Sequence, residues 1–308
     1  FDPIGNGFGA YASGLDLSKP MDEGDLHAFV SAMDKYAVLI FRDQELTPEA
    51  HIAFMSRLGP LDTLNQKALA TIQTRLPYEE VSDISNVAAD GKVAPKGHPQ
   101  AMMNIGNRIW HSDSSFMPFP WRYSALYAVT VTETGGETQW ADMRAAYDAL
   151  SDEDKALAES MIVEHFAGHS RALLGPIDVS QARPASEAPN AVSFAPTRWP
   201  LVRTHAGSGR KLLFVTSAIR EVVGMSLPEG RALIAEFLEH TTQREFVITH
   251  KWRPGDIAIW DNRATLHRGK RFDLSQRREM RRVATIDDVG SLPIAEEDRT
   301  KVYGQPLI

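Results

Sequence analysis

The chain predicts a mainly β protein with flanking helices, most simply a β-sandwich or jelly roll, and two observations carry that expectation. From Ser82 onward most segments are short, apolar or alternating, and are separated by Gly, Pro and Asp, which is the pattern of many strands. Regular strand–helix alternation is missing from that stretch, so a parallel doubly wound sheet fits less well. No fixed-period repeat or low-complexity tract is visible, which sets aside solenoids and propellers. The 308 residues allow one large domain or two ordinary ones, and a single domain spanning 1–308 is the simpler expectation.

Taken in order, a first helix is expected from Asp22 to Lys35, because Leu26, Phe29, Val30 and Met33 fall on one face. Tyr36 to Phe41 reads as a buried strand. Thr47-Pro48-Glu49 is a capped helix start whose stripe of Ile52, Met55 and Leu58 stops at Gly59-Pro60. Within the strand-rich remainder, helices are expected over Asp142–Leu150, over Ser151–Glu164 with a Ser-x-x-Asp cap, and over Pro228–His240. Five prolines between Gly175 and Pro200 mark 175–198 as a long excursion or lid.

Composition narrows the chemistry. Apolar residues at 43% and charged residues at 24% describe an ordinary folded protein. A net charge of −7 argues against nucleic acid or an anionic membrane as a general partner. With no cysteine, thiolate ligands, iron–sulfur clusters, disulfides and a Cys nucleophile are excluded, so metal chemistry must use His and carboxylates. No apolar run approaches the ~18 residues of a membrane span and no signal peptide is visible, so a cytoplasmic location is expected.

Of the ten histidines, only His111 is followed two residues later by Asp, in Trp110-His111-Ser112-Asp113. On a strand, positions i and i+2 share a face, so imidazole and carboxylate would converge as two metal ligands. A lone His-x-Asp is more often a structural hydrogen bond, and a third ligand is needed to make it informative. His267, after the strand and turn of Gly255–Leu266, is the best candidate. Two His and one carboxylate form a facial triad with open positions, as in non-haem Fe(II) oxygenases, while zinc remains an alternative on ligand identity alone. Further on, Arg278-Glu279-Met280-Arg281-Arg282-Val283-Ala284 reads as a strand with Arg278 and Arg282 on one face and Arg277 and Arg281 on the other. Two guanidinium groups aimed the same way suit two anionic ligands.

The chain resembles the taurine dioxygenase superfamily of Fe(II)/2-oxoglutarate-dependent enzymes, and within it the 2,4-dichlorophenoxyacetate dioxygenases. The resemblance rests on Asp83-Ile84-Ser85-Asn86-Val87, Trp110 to Phe116, Gly135-Gly136-Glu137-Thr138 through Asp142 to Tyr147, Trp199 to His205, and Trp260-Asp261-Asn262-Arg263 through His267-Arg268-Gly269. It covers nearly the whole chain and implies one dioxygenase domain with a double-stranded β-helix core. It further implies that His111, Asp113 and His267 hold Fe(II), and that Thr138 and Arg278 hold the carboxylate of 2-oxoglutarate remote from the metal. Arg282 would meet the substrate's acidic group, and Asn107 and Lys92 match substrate-side positions. Read without the family, Thr138 is a packed strand residue, Lys92 a solvated turn residue and Asn107 a backbone cap. His205 and His250 read as structural, and Trp110 and Phe116 as pocket walls or core. The segment 64–80 and the Pro-rich stretch match least well.

The implied function uses O₂ and 2-oxoglutarate to oxidise an aryloxyalkanoate or related aromatic carboxylate beside its ether oxygen. Phenol, an oxoacid, succinate and CO₂ would be released. A sulfonate or sulfate-ester dioxygenase is the alternative within the class. A zinc hydrolase or a non-catalytic small-acid binding protein is the alternative outside it. Partners are expected to be small acids and, by analogy with homologous enzymes, further copies of the chain.

Overall fold

The computed structural model describes residues 1–63, 75–95, 97–98, 105–172 and 196–292. Strands β1 (Asp2–Pro3) and β2 (Ala10–Ala12) precede helix α1 (Glu23–Tyr36), strand β3 (Val38–Phe41) and helix α2 (Pro48–Ser56). The caps are those the sequence announces: Asp22 accepts from the Asp25 amide at 2.8 Å, and Thr47 accepts from the Ala50 amide at 3.2 Å. Next come β4 (Ser82–Ser85), β5 (Trp121–Thr130), β6 (Thr138–Asp142), α3 (Met143–Asp148), α4 (Asp152–Glu159), β7 (Ile162–His165) and α5 (Ala167–Ala172). The remainder is β8 (Thr197–Pro200), β9 (Val202–Thr204), β10 (Lys211–Leu213), β11 (Ile219–Val222), α6 (Leu227–Thr241), β12 (Val247–His250), β13 (Ile257–Asp261), β14 (Thr265–Gly269) and β15 (Glu279–Ile286).

Seven strands form the larger sheet in the order β1-β2-β3-β13-β5-β15-β4, and a smaller sheet has the order β12-β6-β14. Period-2 alternation decides what lies on each face of the larger sheet. Leu39, Phe41, Tyr123, Ala125, Ile257, Ile259 and Val283 point to one side and pack with Phe29 and Met33 of α1 and Phe54 and Met55 of α2. Ile40, Leu126, Ala128, Ala258, Trp260 and Met280 point to the other and meet Trp140 of β6 and Ile248 of β12. The two sheets therefore enclose a common interior, as a jelly roll requires. The outer face of the smaller sheet, through Ala141 and Leu266, is covered by α3, α6 and the strands around β7 and β10.

Three expectations are corrected. The helix expected over Ser151–Glu164 stops at Glu159, because Ile162–His165 is a strand paired on both sides, with β8 and β11. Its Val163, Glu164 and His165 are all buried, which a helical pattern cannot distinguish from a short apolar run. The excursion expected over 175–198 ends earlier, since Thr197 and Arg198 already belong to β8; the rest of it, and 64–74, lie outside the described residues. Finally, His111 and Asp113 do not share a regular strand: His111 makes an isolated bridge with His267, and the chain turns at Ser114, whose φ is 54°.

Candidate metal centre and anion pocket

His267 faces the interior on β14, directly across from Trp140 in register. It exchanges both backbone hydrogen bonds with His111, at 3.0 and 2.8 Å, which puts the two imidazoles on one side with ring centroids 4.1 Å apart. Asp113 completes the cluster: its Oδ1 lies 3.8 Å from His111 Nε2 and its Oδ2 lies 3.6 Å from His267 Nε2. Suitable ligand atoms of all three residues lie within 4.8 Å of one another.

The electrostatics fit a cation at this point. Burial pulls the His111 and His267 imidazoles below their ordinary pKa, His267 to about 3, so both are neutral with lone pairs to offer. His111 donates its Nδ1 proton to the Ile109 carbonyl at 2.7 Å, which leaves Nε2 as the unprotonated nitrogen. Burial pushes the Asp113 carboxyl up, but Arg282, the two histidines and the Ser124 hydroxyl outweigh it and hold the pKa at about 2. Asp113 is thus a carboxylate, and His267 Nδ1 is a buried polar atom without a hydrogen-bond partner among the described residues. A divalent ion with imidazole and carboxylate preference suits this donor set.

Beside the triad lies a pocket lined by Ile84, Asn107, Arg108, Leu126, Thr138, Trp260, His267, Gly269, Lys270, Phe272, Arg278 and Arg282. Arg278 immediately precedes β15 and has relative exposure of 9%, with no acidic partner among the described residues. It donates to the Gly136 carbonyl at 3.3 Å, and its guanidinium faces the Phe272 ring at 5.4 Å. Gly136 sits at φ +74°, where a side chain would be strained, and a Cβ there would lie 3.2 Å from Arg278 Nε. Thr138 opens β6, and its Oγ1 accepts from Trp252 Nε1 at 3.0 Å, so its own proton is free for an anion. Arg282 donates to Asp113 Oδ1 at 3.0 Å and stacks on Trp121 at 4.4 Å, while its buried Nε has no partner among the described residues.

The structure therefore brings His111, Asp113, His267, Thr138, Arg278, Arg282 and Asn107 to one interior. It does not bring Lys92, which is exposed in a turn where its amide donates to Asp90 at 3.0 Å. Trp110 packs in the core outside the smaller sheet, and neither it nor Phe116 lines the pocket. His205 and His250 are structural, paired with Asp261 and Asp256 at 3.0 and 3.1 Å. Sequence reasoning missed Asn86, which accepts from the Arg278 amide at 2.8 Å and donates to the carbonyls of Leu274 and Gln276. Its signal was present, since Asn86 lies within a quoted motif. Trp252 had no comparable signal.

Fold and site together define a non-haem metal oxygenase of the two-histidine, one-carboxylate kind. Residues 1–284 match the family described as "Taurine catabolism dioxygenase TauD, TfdA family", and the chain belongs to that family. It is 45% identical over 291 residues to an alpha-ketoglutarate-dependent 2,4-dichlorophenoxyacetate dioxygenase of Cupriavidus pinatubonensis, covering 93% of this chain and 97% of that one. It is 35% identical to an (S)-phenoxypropionate/alpha-ketoglutarate-dioxygenase of Sphingobium herbicidovorans, covering 90% and 91%. The crystal structure of AAD-2 in complex with Mn(II) and N-oxalylglycine superposes with a TM-score of 0.83 at 42% identity, covering 94% of this chain and 98% of that one.

Proposed function

We propose that the protein is an Fe(II)- and 2-oxoglutarate-dependent dioxygenase that oxidises an aryloxyalkanoate or related aromatic carboxylate. One observation carries the reading: a His–Asp–His cluster, whose His267 lines the pocket, stands beside a buried arginine that has no acidic partner among the described residues. His111, Asp113 and His267 would hold Fe(II). With 2-oxoglutarate and O₂, the iron supplies an oxidant able to remove a hydrogen atom from an unactivated C–H bond. Arg278 and the free proton of Thr138 bind the far carboxylate of 2-oxoglutarate, and this replaces an uncompensated buried charge with a charge-assisted pair.

Arg282 anchors the carboxylate of the substrate. Because it already touches Asp113, an acid bound to it has its adjacent carbon beside the metal. Hydroxylation at that carbon gives a hemiacetal that collapses to a phenol and an oxoacid, with succinate and CO₂ formed from 2-oxoglutarate and O₂. Asn107 lines the same pocket and contributes on the substrate side. Lys92 would have to approach from a turn to do so, and the reading does not need it.

Among the described residues no helix is long and apolar enough to cross a membrane. The reading takes the enzyme to be cytoplasmic, where Fe(II) is kept reduced, acting on free small acids as a single domain that can self-associate. The test is succinate and phenol release with Fe(II), ascorbate and 2-oxoglutarate, comparing aryloxyacetates with alkyl sulfonates and sulfate esters. Stoichiometric succinate and phenol from the aryloxyacetate support the assignment. Turnover of the sulfur acids alone moves it to the alternative substrate class, and binding without succinate removes it.

A further inference from the structure

We infer that Asn262 and Ser124 are positioning residues for the carboxylate ligand: they form a one-way hydrogen-bond chain that fixes how Asp113 meets the metal. This rests on the reading of Asp113 as a ligand. Asp113 needs such a device because the regular sheet does not hold it; the chain leaves its bridge at His111 and turns at Ser114.

The chain's direction follows from hydrogen-bond chemistry. Asn262 Oδ1 receives two N–H groups, from Trp260 Nε1 at 2.9 Å and from the Asp113 amide at 3.2 Å. Neither donor can accept, so this atom must be the amide oxygen and Nδ2 must be the donor. Nδ2 donates to Ser124 Oγ at 2.8 Å, which leaves the Ser124 proton to go to Asp113 Oδ2, also at 2.8 Å. Asn262 thus fixes both the backbone of the ligand and, through Ser124, one of its oxygens. Trp260, Asn262, Ser124 and Asp113 are 1%, 2%, 0% and 6% exposed, so water does not compete for these bonds.

The same device accounts for two motifs that the catalytic reading leaves unused. Asp261 accepts from Arg263 Nη2 at 2.6 Å and lies 3.0 Å from His205 Nε2, so a buried charge cluster shapes the turn that presents Asn262. Trp199 Nε1 donates to the Ser115 carbonyl at 2.9 Å and secures the backbone just after the ligand. The Trp199–His205 and Trp260–Arg263 segments are, on this view, the frame of Asp113.

Titrating metal-free protein with Co(II), read by its d–d absorption, tests the inference without turnover. Ser124→Ala removes one oxygen from the chain and is expected to weaken Co(II) binding by roughly 10- to 100-fold and to shift the band; because it also leaves the buried Asn262 Nδ2 without its acceptor, binding is compared well below the melting temperature of each variant. Asn262→Ala should lose at least as much; if it fails to fold, Ser124→Ala alone carries the test. In an Asp113→Ala background, Ser124→Ala should add no further loss, because it acts through that carboxylate. Wild-type affinity and spectrum in Ser124→Ala, or the same loss with and without Asp113, would overturn the inference. If wild type bound no Co(II), the metal reading itself would fall, and this one with it.

Discussion

Arg278 and Arg282 share one strand face, yet among the described residues one is a cation without a counterion and the other is half of an ion pair. Arg278 is buried against the Phe272 ring with a carbonyl as its hydrogen-bond partner, and burial pulls its pKa down to about 10, still well above neutrality. Arg282 donates to a carboxylate that also faces two imidazoles. On the opposite face, Arg277 pairs with Glu279 at 2.6 Å and Arg281 lies 3.8 Å from the same residue, where Arg75 joins them at 3.1 Å. Guanidinium groups gathered on an acidic partner in that way are structural. On the proposed reading, the buried guanidinium with no acid beside it takes one anionic ligand, and the one tied to Asp113 brings a second anion to the reacting centre.

The largest effect is expected from breaking the centre that both arginines serve. His111→Ala, Asp113→Ala and His267→Ala should each reduce Fe(II)-dependent succinate formation to background while circular dichroism stays that of the wild type. Full turnover in His267→Ala would show that the third ligand lies elsewhere.

Replacing each arginine by Met separates their roles. In Arg278→Met the 2-oxoglutarate affinity should drop by about 2–5 kcal/mol, roughly 30- to several-thousand-fold, because the bound carboxylate loses its charged partner. The ligand-free protein should nevertheless melt at the wild-type temperature or higher, since a buried unpaired charge has been removed. Arg282→Met should do the reverse. It strands the Asp113 carboxylate, whose pKa rises, and lowers ligand-free stability by up to about 3 kcal/mol, the low end for a broken buried pair because Arg282 is partly exposed. Urea unfolding of both variants measures the contrast; equal losses would erase it.

The smallest expected effect concerns acid. The response comes from histidines such as His51 and His165, which burial pulls to about 3 and which have no hydrogen-bond partner among the described residues. Folded, they remain neutral; unfolded, they take a proton below about 6.5. Between pH 7 and pH 5 stability should therefore fall by about 2 kcal/mol for each such group, at about 1.4 kcal/mol per pH unit below 6.5. Comparing unfolding at pH 7 and pH 5 in wild type and His165→Gln should show a shallower slope in the variant.

Much of this was legible because it is periodic or chemically singular. Helices α1 and α2 announced themselves by stripe and cap, and the period of 2 put Arg278 and Arg282 on one face and Arg277 and Arg281 on the other. The unique His-x-Asp singled out two ligands. What was not legible depends on contacts between distant segments. Asp113 converges with His111 through Ser124 and Asn262, not through strand alternation, and no local pattern reports that Trp252 meets Thr138 across 114 positions. β7 was hidden because a buried strand after a helix continues its apolar run. Lys92 entered by resemblance alone, and the fold leaves it on the surface.

The central claim is that two arginines about four strand positions apart, roughly 13 Å, serve two different anions. The most direct test is an anaerobic titration of Fe(II)-loaded Arg282→Ala with 2-oxoglutarate, followed by turnover of an aryloxyacetate against a neutral aryl ether. The predicted result is a charge-transfer band with wild-type affinity together with a lost preference for the acid. Lost 2-oxoglutarate binding with the acid preference intact would contradict the claim and exchange the two roles.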